Sequence, residues 1–404
     1  MPTAAEQLEY ITRTVDVTLP EGALLSQLEN SVHTGEPLRV KLGIDPTAPD
    51  VTLGWAVVFD LLRRFQDMGH IAVLILGDFT AQVGDPSGKS STRRRLTDEE
   101  VNSHVESVLP TVQSLLREDR LEVRRNSEWL GTMNMADVLE MTASVTVSRL
   151  MDRDDFAGRW KRNEPISMIE LMYPLLQATD SVAINADVEI GGNDQLLNLL
   201  MGRDLQERAG QRPQSVATVP LLVGTDGVKK MSQSLGNYIS VRDDGAEMFG
   251  KTMSIPDALL AQWFRLAGGA TQDEVDAVVA GLADGSMHPG DQKRRLARAV
   301  VERYHGQGSG VHAEQGFDQV FRQGRAPDDV PTVPLPADET EIWLPKALTD
   351  AGLTSSNSEA RRLIGQNAVK IDGVPVTSEN MAAADLTGKT VQVGKRRFIQ
   401  FVAS

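Results

Sequence analysis

Cysteine is missing from all 404 residues, which excludes disulfides, thiolate metal sites and a cysteine nucleophile. That usage suits a reducing compartment. Membrane-length apolar runs are missing too: "MPTAAEQLEYITRTVDV" carries neither a basic leader nor an apolar stretch of signal-peptide length, and no later segment approaches the roughly 20 apolar residues of a span. A soluble, cytoplasmic protein is expected, with no membrane partner. There is no excess of positive charge: 41 Lys and Arg stand against 56 Asp and Glu, a net charge of −15, which speaks against nonspecific binding of DNA or RNA by the whole surface. Histidine is scarce, at positions 33, 70, 104, 288, 305 and 312, without an HExxH pattern or other ligand spacing, so no resident metal is expected. Internal repeats and low-complexity tracts are absent.

What is present describes a globular chain of two or three domains, 41% apolar and 24% charged. "LRVKLGI" and "IAVLILG" read as buried strands joined by the helix "WAVVFDLLRRFQDMG", a βαβ unit. Further strands are expected at "LEVRRN", "ADVEIGG" and "VATVPLLVG", with helical stretches between them. The fold class is therefore α/β, a Rossmann-like doubly wound parallel sheet over residues 1–235. A small helical domain follows over 236–322, then a Pro- and Asp-rich linker over 323–341. A compact α-then-β piece closes the chain over 342–404. From Ile342 to Ser404 eight Lys or Arg face five Asp or Glu, so this tail is +3 and the remainder −18, a basic module that could serve a selective RNA contact.

Several short segments carry candidate chemistry. "DVTLGWA" is a strand–turn–helix corner whose free N–H groups and positive dipole end would favour an anion. "VGDPSGKSS" lacks the P-loop glycine, because Val83 stands five positions before Gly88; with "TRRR" after it, the segment reads as a basic loop or a solvated surface run. "YPLLQATD" puts Tyr173, Gln177 and Asp180 on one helical face, either lining a pocket for a small polar ligand or forming the wet edge of a boundary helix. In "EIGGNDQ", Asp194 could hold ribose hydroxyls at the carboxyl end of a strand or simply cap a helix. The paired lysines of "DGVKKMSQSLGNYI" could reach a polyphosphate.

In order along the chain, "GIDPTAP", "GDFTAQVGDPSGKS", "YPLLQATDS", "ADVEIGGNDQ" and "KKMSQSLGNYI" resemble the corresponding blocks of the bacterial tyrosyl-tRNA synthetases, class I aminoacyl-tRNA synthetases. The carboxyl-terminal piece resembles a small RNA-binding domain shared with a ribosomal protein. The resemblance implies two steps: tyrosine and ATP, with Mg²⁺ accompanying the nucleotide, give tyrosyl-adenylate and pyrophosphate, and the acyl group then passes to tRNA(Tyr). It also implies a homodimer. By matching positions Asp180 accepts the phenolic hydroxyl, Tyr173, Gln177 and Thr80 surround the amino-acid backbone, and Asp85 and Gln195 share that pocket. Lys41 stands where many members place a second hydroxyl-binding tyrosine. Gly192 and Asp194 face the ribose; Gly43, Asp45, Thr47 and Gly54 lie near ATP; Lys89, Arg93 and Lys230 meet the phosphates, with Ser232 and Gln233 on the same loop.

Two signatures depart from the family. His-x-Gly-His is "TLGW" here, so Thr52 and Trp55 replace both histidines, and Lys-Met-Ser-Lys-Ser is "KMSQS", with Gln233 for the second lysine. If each change resembled removal of one oxyanion donor it would cost roughly 2.7 to 4 kcal/mol, though such losses seldom add. Three readings follow: a tyrosine–tRNA ligase with reduced activity, a paralogue activating tyrosine or an analogue for another acceptor, and a non-catalytic tyrosine- or RNA-binding protein.

Overall fold

The computed structural model describes residues 2–85, 96–321, 330–336, 340–394 and 397–403. It divides into two compact units, Met1–Asp244 with Lys251–Leu296, and Gly245–Gly250 with Ala297–Ser404. No helix among the described residues is long and apolar enough to cross a membrane.

The first unit is built on a six-stranded sheet in the order β1-β6-β5-β2-β3-β4. The strands are β1 (Val17–Leu19), β2 (Arg39–Ile44), β3 (Ile71–Leu76), β4 (Leu121–Arg125), β5 (Val188–Gly192) and β6 (Ser215–Val219). β1 runs antiparallel to β6 and all other pairs are parallel. β5 and β6 are buried at every position, and β3 at all but its first. Covered on both faces, such strands read as continuous rather than alternating apolar runs. The helix Leu53–Asp67 crosses from β2 to β3, burying Leu53, Ala56, Val57, Phe59, Leu61, Leu62 and Phe65 on one broad stripe.

The order of strands reverses direction between β2 and β5, the place where doubly wound sheets open a crevice at their carboxyl ends. Pairing there is short: only Val40 with Val188 and Lys41 with Glu189, whereas β2 and β3 pair along all of Arg39 to Ile44. Beyond Lys41 and Glu189 the two strands part. A ligand-sized space lies in that gap.

In the second unit the helices Leu344–Asp350 and Asn357–Gly365 bury Leu344, Leu348 and Ile364 together with Val369, Val391, Ile399 and Phe401 of a five-stranded sheet. The linker expected over 323–341 is not wholly a linker. Thr332–Pro334 forms the edge strand of that sheet, parallel to Arg397–Val402. Proline donates no hydrogen bond, and an edge position is where a strand tolerates that. The boundary expected at residue 235 also differs from the observed division, because the helices Leu260–Leu266 and Gln272–Ala283 belong to the first unit. The helical stretch expected after β4 is broken into short helices, Ser127–Leu130, Met135–Ala143, Val147–Leu150 and Asp154–Lys161.

Candidate active site

A cavity of about 530 Å³ occupies the gap at the carboxyl ends of β2 and β5. It is lined by Gly43, Asp45, Thr47, Thr52, Gly54, Trp55, Thr80, Asp85, Tyr173, Gln177, Asp180, Gly192, Asp194, Gln195, Lys230, Ser232 and Gln233, all of them candidates from the sequence. Three candidates do not appear in that lining. Lys89 and Arg93 lie outside the described residues, and Lys41 sits beneath the cavity.

Lys41 and Glu189 face each other at the last paired position of β2 and β5, both fully buried, with Nζ 2.8 Å from Oε1. The ammonium also donates to the Gln177 carbonyl and the Ser181 hydroxyl, each at 2.8 Å. Ser181 and the Gln214 amide in turn donate to Glu189 Oε2. Gly202 leaves room for this network, since a Cβ there would stand 2.5 Å from Gln214 Nε2 and 2.9 Å from Ser181 Oγ. A buried ion pair is tolerable only when its remaining hydrogen-bonding capacity is met in this way. Lys41, expected among the tyrosine-binding residues, uses its donors inside the protein and acts on the cavity through charge.

That charge is felt by Asp180, three residues along the helix Met168–Ile184 from Gln177. Burial pushes its carboxyl up from 3.8 to about 7, against the pull of the Lys41 ammonium and a hydrogen bond from Trp129. The Trp129 indole donates to Oδ1 at 2.8 Å and Asn126 Nδ2 approaches Oδ2 at 3.5 Å. Neither partner was foreseen. Asn126 follows directly on β4, at the strand end where such sheets gather ligand groups, and that was the available signal.

Asp45, just after β2, accepts from Thr80 Oγ1 and from the Tyr173 hydroxyl, both at 2.8 Å. Burial raises it to about 7, and the nearby carboxylates of Asp85 and Asp180 push the same way. Tyr173 is held well above its usual value by burial and by Asp45. The expected amino-acid and nucleotide halves thus share a wall at Asp45. Gly77, also unforeseen, is obligatory there: a Cβ would lie 2.1 Å from Asp45 Oδ1 and 2.3 Å from Thr80 Oγ1. Deeper, Gln195 Nε2 donates to Asp85 at 2.9 Å, and the buried Asn198 amide bridges Gln195 and Gln177 at 3.0 and 3.2 Å.

On the nucleotide side, Gly192 allows close approach, since a Cβ would meet Leu221 at 2.7 Å. Asp194 lies in the turn Asn193–Gln195, makes no capping bond there, and accepts from Lys230 Nζ at 2.6 Å. The strand–turn–helix corner is a correction. The first-turn N–H groups expected to be free for an anion already have acceptors. Leu53 donates to the Ile239 carbonyl at 2.9 Å, Gly54 to Met231 Sδ at 3.3 Å, Trp55 to the Thr52 hydroxyl at 3.3 Å, and Ala56 to the Thr52 carbonyl at 3.0 Å. Thr52 is buried as the helix N-cap. Gln233 likewise points at protein: its amide brackets the backbone of Asp50.

The fold and this cavity define a doubly wound α/β protein with an acidic, hydrogen-bonding pocket joined to a nucleotide-type crevice at the switch point. Residues 33–322 match the family described as tRNA synthetases class I (W and Y), and 342–382 match the S4 domain. The chain belongs to that class I tRNA synthetase family. A tyrosine–tRNA ligase of Moorella thermoacetica is 48% identical over 394 residues, 98% of this chain and 95% of the relative. Another, from Desulfotalea psychrophila, is 43% identical over 402 residues, covering 100% and 99%. The crystal structure of a tyrosyl-tRNA synthetase from Archaeoglobus fulgidus with L-tyrosine shares the fold, with a TM-score of 0.62 at 23% identity over 77% of this chain and 99% of that one.

Proposed function

We propose that this chain activates tyrosine and charges tRNA(Tyr). The tyrosine carboxylate attacks the α-phosphorus of ATP, the bond to pyrophosphate breaks, and tyrosyl-adenylate then delivers its acyl group to the terminal ribose of tRNA. ATP enters as substrate with Mg²⁺ as its companion ion. The observation that carries this reading is Asp180: a buried carboxylate in the cavity wall, oriented by Trp129 and suited to accept a phenolic O–H. Relatives named tyrosine–tRNA ligases along nearly the whole chain support the same substrate. In this reading Thr80, Tyr173 and Gln177 surround the amino-acid backbone with Asp85 and Gln195 in the same pocket, Asp45 lies near ATP, and Gly192 and Asp194 take the ribose. Lys230, Lys89 and Arg93 take the phosphates. The carboxyl-terminal S4 domain contacts tRNA, and the work is cytoplasmic.

A homodimer belongs to the same proposal. Met135, Leu139, Val147, Trp160 and Met168 are 73, 62, 61, 71 and 72% exposed between residues 135 and 168 of the first unit, large apolar side chains that a second copy of the chain would cover.

Tyrosine-dependent exchange of pyrophosphate into ATP tests the first step and charging of tRNA(Tyr) the second. Both are expected, with exchange lost in Asp180→Ala and phenylalanine failing to replace tyrosine. The occupied N–H groups of Leu53, Gly54, Trp55 and Ala56 favour a second reading, a tyrosine binder with weak or no activation. Tyrosine binding that depends on Asp180, without exchange, would select it.

A further inference from the structure

The loop carrying Lys230 is fastened at both ends. At its base Asp226 accepts from the N–H groups of Val228 and Lys229 at 3.0 and 3.1 Å, and the Asn237 amide joins Asp226 and the Ser232 N–H at 2.9 Å each. At its tip the Gln233 side chain makes a two-point contact with one peptide group pair: Nε2 donates to the Asp50 carbonyl at 2.6 Å, and Oε1 accepts from the Asp50 N–H at 3.3 Å. The Asp50 carboxylate accepts from the Tyr238 hydroxyl at 2.9 Å. The turn before the helix Leu53–Asp67 is therefore gripped from one loop through both its backbone and its side chain.

Only an amide of this length can make both bonds. Lysine has donors and no acceptor, an ionised glutamate has acceptors and no donor, and asparagine is a methylene shorter. The second hold on the loop is of another kind. Lys230 and Asp194 pair at 2.6 Å while 40 and 24% exposed, and a partly solvated pair contributes little and is given up readily.

We infer that Gln233 is a positioning residue for adenylate formation: it holds the loop against the Asp50 turn before ATP arrives, so that nucleotide binding need only transfer the Lys230 ammonium from Asp194 to phosphate. The residue acts through Lys230 and has no phosphate contact of its own. This rests on the activation reaction proposed above and adds to it that a neutral amide here is a functional part, where a cation would be a fault.

The test uses the full-length protein with Gln233→Glu, which keeps the shape and loses the donor, Gln233→Lys, which keeps a donor and loses the acceptor, and Gln233→Ala in case either charged variant folds poorly. Loss of one or two such bonds is expected to raise the KM for ATP in pyrophosphate exchange about tenfold, with kcat changed less than about threefold. Tyrosine affinity by calorimetry stays at the wild-type value. Without ATP, trypsin cuts after Lys229 or Lys230 at least about fivefold faster in the variants, because cleavage follows the open population. Unchanged cleavage and an unchanged KM for ATP would overturn the inference, as would Gln233→Lys with a lower KM for ATP than wild type. If the wild type catalyses no exchange, the activation reading fails, while cleavage still decides whether Gln233 holds the loop.

Discussion

Replacement of Lys41 by methionine isolates what holds the floor of the site. Methionine fills similar length without charge, so the change leaves the fully buried Glu189 carboxylate without its counter-ion. Removing one partner of a buried pair costs about 3–5 kcal/mol. Three donors to Glu189 survive the change, Ser181 Oγ at 3.0 Å, Gln177 Nε2 at 3.3 Å and the Gln214 amide, which argues for the lower end, about 3 kcal/mol. Thermal unfolding followed by circular dichroism should show a midpoint several degrees lower. The double variant Lys41→Met with Glu189→Gln, which removes both charges, should recover at least half of the loss. Lys41 also pulls the Asp180 carboxyl downward, so the single variant should bind tyrosine more weakly at neutral pH, where more of Asp180 would be protonated. A Lys41→Met protein as stable as wild type, or a double variant no better than the single one, would refute the claim that this pair is charged and mutually dependent.

Asp45 and Asp180 both hold their protons to about pH 7 rather than 3.8 because they are buried. Between those values the folded protein binds protons that the unfolded chain releases, so this stability is full below about pH 4 and is lost as pH rises through about 7. Ligand-free thermal midpoints should therefore fall from about pH 5 to about pH 8 more steeply in wild type than in Asp180→Asn, while tyrosine affinity in wild type rises over the same interval. Equal slopes in the two proteins would count against the assignment. At the exposed apolar stretch, Trp160→Glu should shift the sedimentation behaviour from dimer toward monomer at micromolar concentration, and a wild-type monomer would remove that part of the proposal.

Much of the site was legible because it depends on local spacing. Tyr173, Gln177 and Asp180 share a helical face by periodicity alone, and all three line the cavity. Gly192 ends a buried strand and Asp194 follows it, which places both at the crevice of a doubly wound sheet. The roles of the two altered signatures were not legible. Thr52 and Gln233 looked like diminished phosphate ligands because only their side-chain chemistry could be compared with the family pattern. In the structure one caps a helix and the other grips Asp50, 183 residues away in the chain.

From the sequence alone came the opening βαβ unit, the central strands alternating with helices, the apolar faces that pack them, the family, and the residues that could serve a phenol and a nucleotide. Those are properties of periodicity and of ordered blocks along the chain. The tertiary structure decided which donors were still available: Lys41 meets Glu189 only because β2 and β5 pair at that register, Trp129 reaches Asp180 across 51 positions, and the loop around Met231 and Ile239 caps a helix begun at Leu53. Hydrogen bonds saturate, and a group is free for a ligand only after every distant neighbour brought close by the fold has taken its share.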